Sequence, residues 1–172
     1  MQRYLINWSE PFLFDTPVSL GLSGFYFTRG YVDWLEERLG GGVTLGYQFS
    51  PDLAGTLGFT GQSVDVSNPR QPTPEPLAEV LGNTSIYTFS GQLAHDTRDN
   101  TFLSTQGHRI SVKFEQTIGD FVFPRVTLEG RQFFPLRERP DGSGRHVLSL
   151  IGQLGVSGDD TPIYDRFYIG GF

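Results

Sequence analysis

The 172-residue sequence contains no cysteine and only one methionine. Disulfides and thiol chemistry are therefore excluded, and the absence of cysteine is compatible with any compartment. Apolar runs are only a few residues long, which excludes a transmembrane helix because such a helix needs about 20 apolar residues in succession. Basic residues are also scarce, since 13 Lys and Arg stand against 19 Asp and Glu and leave a net charge of −6. This acidic balance argues against a nucleic-acid partner.

Aromatic residues and glycine are plentiful instead. The sequence has 15 Phe, 7 Tyr and 22 Gly, and segments rich in aromatics and glycine are typical of strands and turns rather than helices. A mean hydropathy of −0.24 would ordinarily argue against a membrane protein. A low mean hydropathy does not exclude strands that cross a membrane, because only every second residue of such a strand faces lipid.

Alternation of polar and apolar side chains predicts eight strands, over residues 2–12, 17–29, 40–49, 53–66, 84–96, 107–118, 121–135 and 145–157. Residues 30–39 are predicted as a polar loop, residues 40–42 as a glycine-rich strand entrance, and residues 75–81 as one or two helical turns. Strands of about 10–14 residues fit a tilted bilayer crossing better than the ~5–6 residues usual in soluble sheets. Tight or turn-like connections after strands one, three, five and seven and longer loops after strands two and four are typical of outer-membrane barrels.

Charged residues on the sixth and seventh predicted strands indicate water on one side of the sheet. Each unpaired ion would cost several kcal/mol in a dry core, and a water-filled lumen removes most of that cost. We therefore expect six charges to face a lumen: Arg109, Lys113, Glu115, Arg125, Glu129 and Arg131. The predicted fold is all-β, an antiparallel up-and-down transmembrane β-barrel present as an open fragment of about eight strands. A soluble single-layer sheet with one solvated face is the alternative.

The turn between the fifth and sixth predicted strands concentrates polar side chains. Asp96, Arg98 and Asp99 resemble a catalytic or Ca²⁺ cluster, but the glycine and terminal glutamate of a dedicated calcium loop are missing. Local hydrogen bonds that shape the turn explain these residues without any ligand. His95 and His108 flank the turn and have no identifiable third zinc ligand. The sequence therefore predicts no catalytic, cofactor or metal site and no enzymatic activity.

Four segments carry a family pattern in a fixed order along the whole chain. Residues 5–15 end in a Glu-Pro-Phe turn, and residues 96–107 combine Asp-x-Arg-Asp with a later Thr-x-Gly. Residues 131–136 and 162–171 complete the set. Together they resemble the barrel of BamA- and TamA-type outer-membrane assembly factors, the bacterial surface antigen family. Ser104 departs from the family pattern, which usually has proline there.

The resemblance implies a location and a role for particular residues. It places the chain, residues 1–172, at strands four to eleven of a sixteen-stranded barrel in the bacterial outer membrane. The turn formed by Asp96, Arg98, Asp99, Asn100 and Gly107 would then face the periplasm and serve as a docking surface. A second set would lead into the loop that packs inside the lumen: Tyr164, Arg166, Phe167, Gly170 and Gly171.

The same resemblance implies that the parent protein folds and inserts other β-barrel proteins. Its expected partners are membrane lipid, unfolded outer-membrane protein clients, the periplasmic POTRA domains of the parent chain and accessory lipoproteins. We expect the chain to be an interior piece, a single partial barrel domain without POTRA domains or a signal peptide. Two other functions fit the pattern: a two-partner secretion transporter of the same family, and a passive porin whose lumenal charges tune ion selectivity.

Overall fold

A computed structural model describes residues 2–139 and 144–167. Within these residues the chain forms one antiparallel sheet, in which eight strands are neighbours in chain order. The strands are β1 (Gln2–Glu10), β2 (Val18–Gly30), β3 (Leu35–Ser50), β4 (Leu53–Ser67), β5 (Gly82–Asp96), β6 (Gly107–Gly119), β7 (Phe123–Glu138) and β8 (Arg145–Ser157). A short helix, α1 (Glu75–Ala78), precedes β5, and 3₁₀ turns occur at Leu13–Asp15 and Ile163–Asp165. None of the helices in the described ranges is long and apolar enough to cross a membrane.

The eight predicted strands are all present, which confirms the all-β antiparallel fold, but the third is longer than expected. Because β3 begins at Leu35, the predicted polar loop over residues 30–39 is wrong, and the connection from β2 is reduced to residues 31–34. Glu37 interrupts the apolar alternation of β3 in the sequence, because it is a charged residue at a position of the apolar face. The glycines at 40–42 lie in the middle of β3 and not at its entrance.

Strand pairing gives the sheet two chemically different faces, because residues opposite each other in a ladder share a face. On the polar face, Arg109 lies opposite Arg131 and Glu115 lies opposite Arg125. On the apolar face, Phe114 lies opposite Val126. Large apolar side chains are exposed on this second face of all eight strands, among them Tyr4, Ile6, Trp8, Leu22, Leu45, Leu57, Phe89, Leu93, Val112, Phe114, Leu128 and Leu154. The apolar face thus suits an apolar environment, and the polar face suits water.

A row of three glycines crosses the apolar face. Gly24 on β2 lies opposite Gly41 on β3, which in turn lies opposite Gly61 on β4. On the polar face beside this row, the ring of Phe25 occupies the space that a Cβ on Gly40 would need. Such a Cβ would lie 2.6 Å from Phe25 Cζ. Glycine at this level therefore permits a close approach between an aromatic ring and a neighbouring backbone.

The connections fall on two opposite edges of the sheet. The turn edge carries the connections that follow the odd-numbered strands β1, β3 and β5, at residues 11–17, 51–52 and 97–106. The loop edge carries the connections that follow β2, β4 and β6, at residues 31–34, 68–81 and 120–122, and the segment 158–167 after β8. The longer loop expected after the second strand is absent, because β3 begins earlier than predicted. The long connection after the fourth strand is present and contains α1.

A small core lies on the polar face near the loop edge. Val64, Val66 and Ile86, which occupy polar-face positions of β4 and β5, are at most 1% exposed. They pack with two side chains of the 68–81 connection, Leu77 and Val80, and with Tyr164 of the segment after β8. Trp34, Phe121 and Ile163 lie at the margin of this cluster. The two connections therefore fold back over the sheet and cover part of its polar face.

Arginine substitutions on the two faces test whether the apolar face meets lipid and the polar face meets water. We expect Phe114→Arg and Val126→Arg each to cost about 2–4 kcal/mol and to reduce membrane integration, because a cation would replace an apolar side chain in lipid. Ser90→Arg is the control, because Ser90 lies on the polar face opposite Glu115. The measurement is the fraction of protein in urea-washed membranes. Equal integration of all three variants would contradict a lipid-facing apolar surface.

Candidate functional site

The segment of residues 158–167, which we call the docked segment, is held against the polar face near the loop edge. Tyr164 at its centre is 8% exposed and belongs to the apolar core cluster. Its hydroxyl lies 3.0 Å from the Thr84 hydroxyl on β5, and burial raises the pKa of the Tyr164 hydroxyl. Within the segment, the Arg166 Nε donates to the carbonyl of Thr161 at 2.9 Å. One aromatic side chain thus anchors the segment to the sheet.

Arg38 of β3 contacts the docked segment in three different ways. Its Nη1 is 3.1 Å from Asp165 Oδ1, and its Nη2 donates to the Tyr164 carbonyl at 3.2 Å. The guanidinium also lies over two rings, 5.0 Å from the Tyr164 centroid and 5.8 Å from that of Phe27. On its own strand, Arg38 Nε is 2.5 Å from Glu36 Oε1. Arg38 therefore joins β3 to the segment through ionic, hydrogen-bonded and cation–π contacts.

Burial makes this cluster sensitive to the loss of any member. The exposed fraction is 11% for the Arg38 side chain, 2% for Glu36 and 16% for Asp165. Removing one partner from such a buried pair leaves an uncompensated charge, which costs more than the intact pair contributes. Glu36 Oε2 is buried and has no hydrogen-bond partner among the described residues. The carboxylate of Glu36 thus depends on Arg38 for its compensation.

Arg125 of β7 supplies the second attachment. Its Nη2 donates to the carbonyl oxygen of Asp165, and its guanidinium lies 5.2 Å from the Phe167 ring and 5.7 Å from the Phe123 ring. The Phe167 ring lies above Gly155 of β8, where any Cβ would be 2.6 Å from the ring. The absence of a side chain at position 155 therefore creates the space for Phe167 on the polar face.

The residues predicted to lead into a lumen-packing loop fall in two groups. Tyr164, Arg166 and Phe167 all belong to the docked segment. Gly170 and Gly171 lie outside the described residues. The role of this set as the beginning of a lumen-packing loop stays a prediction.

The six predicted lumen-facing charges occupy the polar face of β6 and β7. Of the six, Arg125 donates a hydrogen bond to the docked segment. Lys113 Nζ is 2.8 Å from Glu115 Oε1 on the same strand, and Arg109 Nε is 4.0 Å from Asp96 Oδ2. Most of this charged surface therefore lies away from the cluster around Arg38.

Sequence reasoning missed Glu36 and Arg38. Both were assigned to a polar loop because Glu37 interrupts the alternation of Leu35-Glu36-Glu37-Arg38-Leu39. A usable signal was nevertheless present, since Glu36 and Arg38 are two residues apart and so lie on one face of a strand. Two opposite charges on one face of a buried strand are expected to pair.

The turn between β5 and β6 is built from local hydrogen bonds. Arg98 makes a two-pronged contact with Asp96, at 2.8 Å from Nε to Oδ1 and 2.7 Å from Nη2 to Oδ2. This contact raises the pKa of Arg98. The side chain of Asn100 accepts from the backbone N–H groups of Phe102 at 2.8 Å and Leu103 at 3.1 Å. The predicted docking residues thus lie together in one ordered turn.

Asp99 and Gly107 complete the turn. The Asp99 carboxylate accepts from the Thr105 hydroxyl, from the Thr105 backbone N–H at 2.8 Å and from the Gln106 N–H at 3.2 Å. Gly107 has a φ of +92°, and a Cβ there would lie 2.3 Å from the Thr97 carbonyl oxygen. Only glycine fits that position without displacing the backbone. Among the described residues, no group of three His, Cys, Asp or Glu side chains could hold a metal ion.

Comparison with known protein families identifies the chain. The model of the Omp85 superfamily domain matches residues 1–172. The chain belongs to the Omp85 superfamily. Its fold is also similar to the crystal structure of BamA from Haemophilus ducreyi lacking POTRA domains 1–3, with a TM-score of 0.81 and 17% sequence identity. The match covers 98% of this chain and 36% of that BamA chain.

Membership of the Omp85 superfamily decides between the two solvents proposed for the apolar face. The sheet is part of an antiparallel transmembrane β-barrel of the bacterial outer membrane, as the sequence predicted. The apolar face is the one that meets lipid, and the charged face with the docked segment is the one turned away from it. The soluble single-layer sheet is thereby set aside.

Substitution of Arg38 tests the buried cluster. We expect Arg38→Met to lower the free energy of unfolding by about 3–5 kcal/mol, because Glu36 and Asp165 would lose their common cation in a buried site. The double variant Glu36→Gln, Arg38→Met should recover a large part of that loss. Arg109→Met is a matched control on the same face, and its partly exposed ion pair should contribute less than about 1 kcal/mol. The measurement is urea unfolding in lipid bilayers, and equal effects at the two arginines would contradict the cluster.

Acid titration tests the Asp99 turn. Hydrogen bonds from the Thr105 side chain, the Thr105 backbone and the Gln106 backbone lower the pKa of Asp99 from 3.8 to about 2. A carboxylate with a depressed pKa stabilises the fold above its unfolded pKa, and this contribution disappears as the pH falls through the folded pKa. We therefore expect amide exchange at Thr105 and Gln106 to accelerate only between pH 3.8 and about 2. Asp99→Asn should abolish the step, whereas a transition above pH 5 would contradict the assignment.

Proposed function

We propose that this chain supplies the central strands of an outer-membrane barrel that folds and inserts other β-barrel proteins. The observation that carries the proposal is the docked segment, which Arg38, Arg125 and Thr84 fasten to the polar face. A passive porin conducts through a water-filled lumen. A segment fixed across the inner face near the loop edge is an obstacle to such a channel and suits a barrel that acts through its wall and edges.

The proposed activity is not enzymatic and uses no cofactor. The wall of the barrel offers a preformed set of paired strands, and an incoming client strand satisfies its backbone hydrogen bonds only by pairing. A barrel that perturbs the surrounding bilayer lowers the barrier for a client to enter lipid. In this view the chain contributes a rigid scaffold, and the pairing with the client occurs at strands outside the eight described here.

The sheet requires additional strands to become a closed barrel. Within the described residues, β1 pairs only with β2 and β8 pairs only with β7, which leaves two unpaired edges. A match that covers 98% of this chain but 36% of a BamA chain supports a partial barrel, and we propose that its strands are the fourth to eleventh of sixteen. We propose that periplasmic POTRA domains of the parent chain deliver unfolded clients, and that accessory lipoproteins assist them.

The turn edge is the proposed docking surface for those periplasmic domains. Asp96 and Arg98 hold each other in a fixed position there, and Asp99 and Asn100 order the rest of the turn. A rigid polar turn loses little conformational entropy when a partner binds. We therefore assign this surface to contact with the periplasmic domains and not to catalysis or metal binding.

The experiment is a client-folding assay. The parent protein carrying this region is reconstituted in proteoliposomes, and folding of an added unfolded β-barrel protein is followed by its shift in mobility on unheated SDS gels. We expect wild-type proteoliposomes to accelerate client folding relative to empty liposomes. Arg38→Met should slow it, because the docked segment loses its main attachment, while Arg109→Met should not.

The two competing functions give different results in the same preparation. A porin would show steady ion conductance in planar bilayers and no effect on client folding. A secretion transporter would move an unfolded passenger into the liposome lumen without inserting it. Either result, in place of accelerated folding, would overturn the proposed function.

A further inference from the structure

Polar side chains interrupt the apolar face close to the turn edge. His95 on β5, His108 on β6 and Gln132 on β7 lie side by side, and the pairing register places all three on the lipid-facing side. The next positions on the same face, further from the turn edge, are apolar: Leu93 on β5 and Ile110 on β6. Polar side chains at this level are expected where the hydrocarbon region gives way to lipid headgroups.

The two histidines form an oriented pair. His95 Nδ1 lies 3.0 Å from His108 Nε2, and the ring centroids are 5.1 Å apart with 28° between the planes. Thr97 fixes the His108 ring, because its Oγ1 lies 3.1 Å from both His108 Nδ1 and the His108 backbone N–H. The Thr97 hydroxyl also donates to the His108 carbonyl at 3.3 Å. Both ring nitrogens of His108 are therefore held by contacts, Nδ1 by Thr97 and Nε2 by His95.

This orientation prepares His95 to bind an anion. His95 Nδ1 is engaged with His108, so Nε2 is the nitrogen that can meet an anion, and an N–H there donates to a phosphate oxygen. The residues opposite the pair carry no charge: Leu53 on β4 and Ile110 on β6 for His95, and Gln132 on β7 for His108. None of the residues directly opposite the pair is therefore a carboxylate that would compete with an external anion.

An apolar groove begins beside the histidine pair and runs toward the middle of the sheet. Its volume is about 510 Å³, and its walls include Phe49, Leu57, Leu93, Val112 and Phe114. Gly91 forms its floor and lies opposite Leu57 in the β4–β5 ladder, whereas the Phe49 ring covers the neighbouring Gly55. Leu93 is two residues from His95, which is about 7 Å along a strand. The pair therefore lies one same-face position beyond Leu93, which lines the groove.

We propose that this surface binds one phospholipid from the leaflet that meets the turn edge. An acyl chain occupies the groove over Gly91, and the phosphate group contacts His95, with His108 behind it. The order along the strand matches the depth of a lipid in a membrane, because the apolar groove lies deeper than the polar pair. The site lies on the lipid-facing side, so it is independent of the client-folding role proposed for the barrel.

Filling the groove is the first test. Gly91→Leu places an apolar side chain in the groove, and a Cβ at this position makes an ordinary contact of 3.7 Å with Leu57. Gly130→Leu is the matched control, because Gly130 also lies on the apolar face and no atom lies within 4 Å of its Cβ position. The parent protein in detergent micelles is mixed with equal amounts of dioleoylphosphatidylglycerol and dioleoylglycerol. Native mass spectrometry then counts the lipids that remain bound.

The expected result is a retained phospholipid in the wild type and in Gly130→Leu. Gly91→Leu should lower its occupancy about tenfold, because the substituted side chain takes the place of the acyl chain. Equal retention by both glycine variants would overturn the groove. Mobility on unheated SDS gels shows whether each barrel is folded, and Gly91→Ala replaces the leucine variant if that one does not fold.

A double histidine variant tests the contact with the phosphate group separately. The variant His95→Leu, His108→Leu keeps the groove and should lose the preference for dioleoylphosphatidylglycerol over dioleoylglycerol. If the wild type shows no such preference, or if the histidine variant keeps it, the phosphate contact is refuted. Retention of neither lipid by the wild type would refute the whole site.

Discussion

The structure depends on one constraint, which is that backbone N–H and C=O groups inside a bilayer must be paired within the protein. The strands meet it through long ladders, from nine residues in β1 to 16 residues in β3 and β7. Because successive side chains on a strand alternate, each ladder also separates the side chains into two sets. One set meets lipid and the other can carry charge. The charged face, the docked segment and the polar rim all follow from this separation.

The ion pairs around Arg38 determine where the docked segment lies more than they raise the free energy of unfolding. A buried ion pair gains little net free energy, yet the incomplete pair is strongly unfavourable. The docked segment must therefore present Asp165 and the Tyr164 carbonyl to Arg38, and Asp165 must also offer its carbonyl to Arg125. Few placements of the chain satisfy these requirements together. Such a cluster suits a segment that has to remain in one place on a wet surface.

Much of the fold was predictable, because period-two alternation is a local property of the sequence. The eight strands, the polar face of β6 and β7 and the helical turn near residue 75 could all be predicted in that way. The cluster could not, since the contacts of Arg38 with Asp165 join residues 127 positions apart. Glu37 added a second difficulty by placing a charge on the apolar side of β3. Family resemblance marked the docked segment, but nothing in the sequence indicated which strand side chains would hold it.

The glycine row of Gly24, Gly41 and Gly61 has a mechanical consequence. At that level three adjacent strands have no side chain of their own on the apolar face, and Ile6 and Tyr87 lie beside Gly24 and Gly61, at 3.1 and 3.3 Å from the missing Cβ positions. Glycine permits bending that side chains would resist, and designed barrels use it where a sheet has to curve. A row of glycines across three strands is therefore a level at which the wall can curve without compressing side chains on its outer surface.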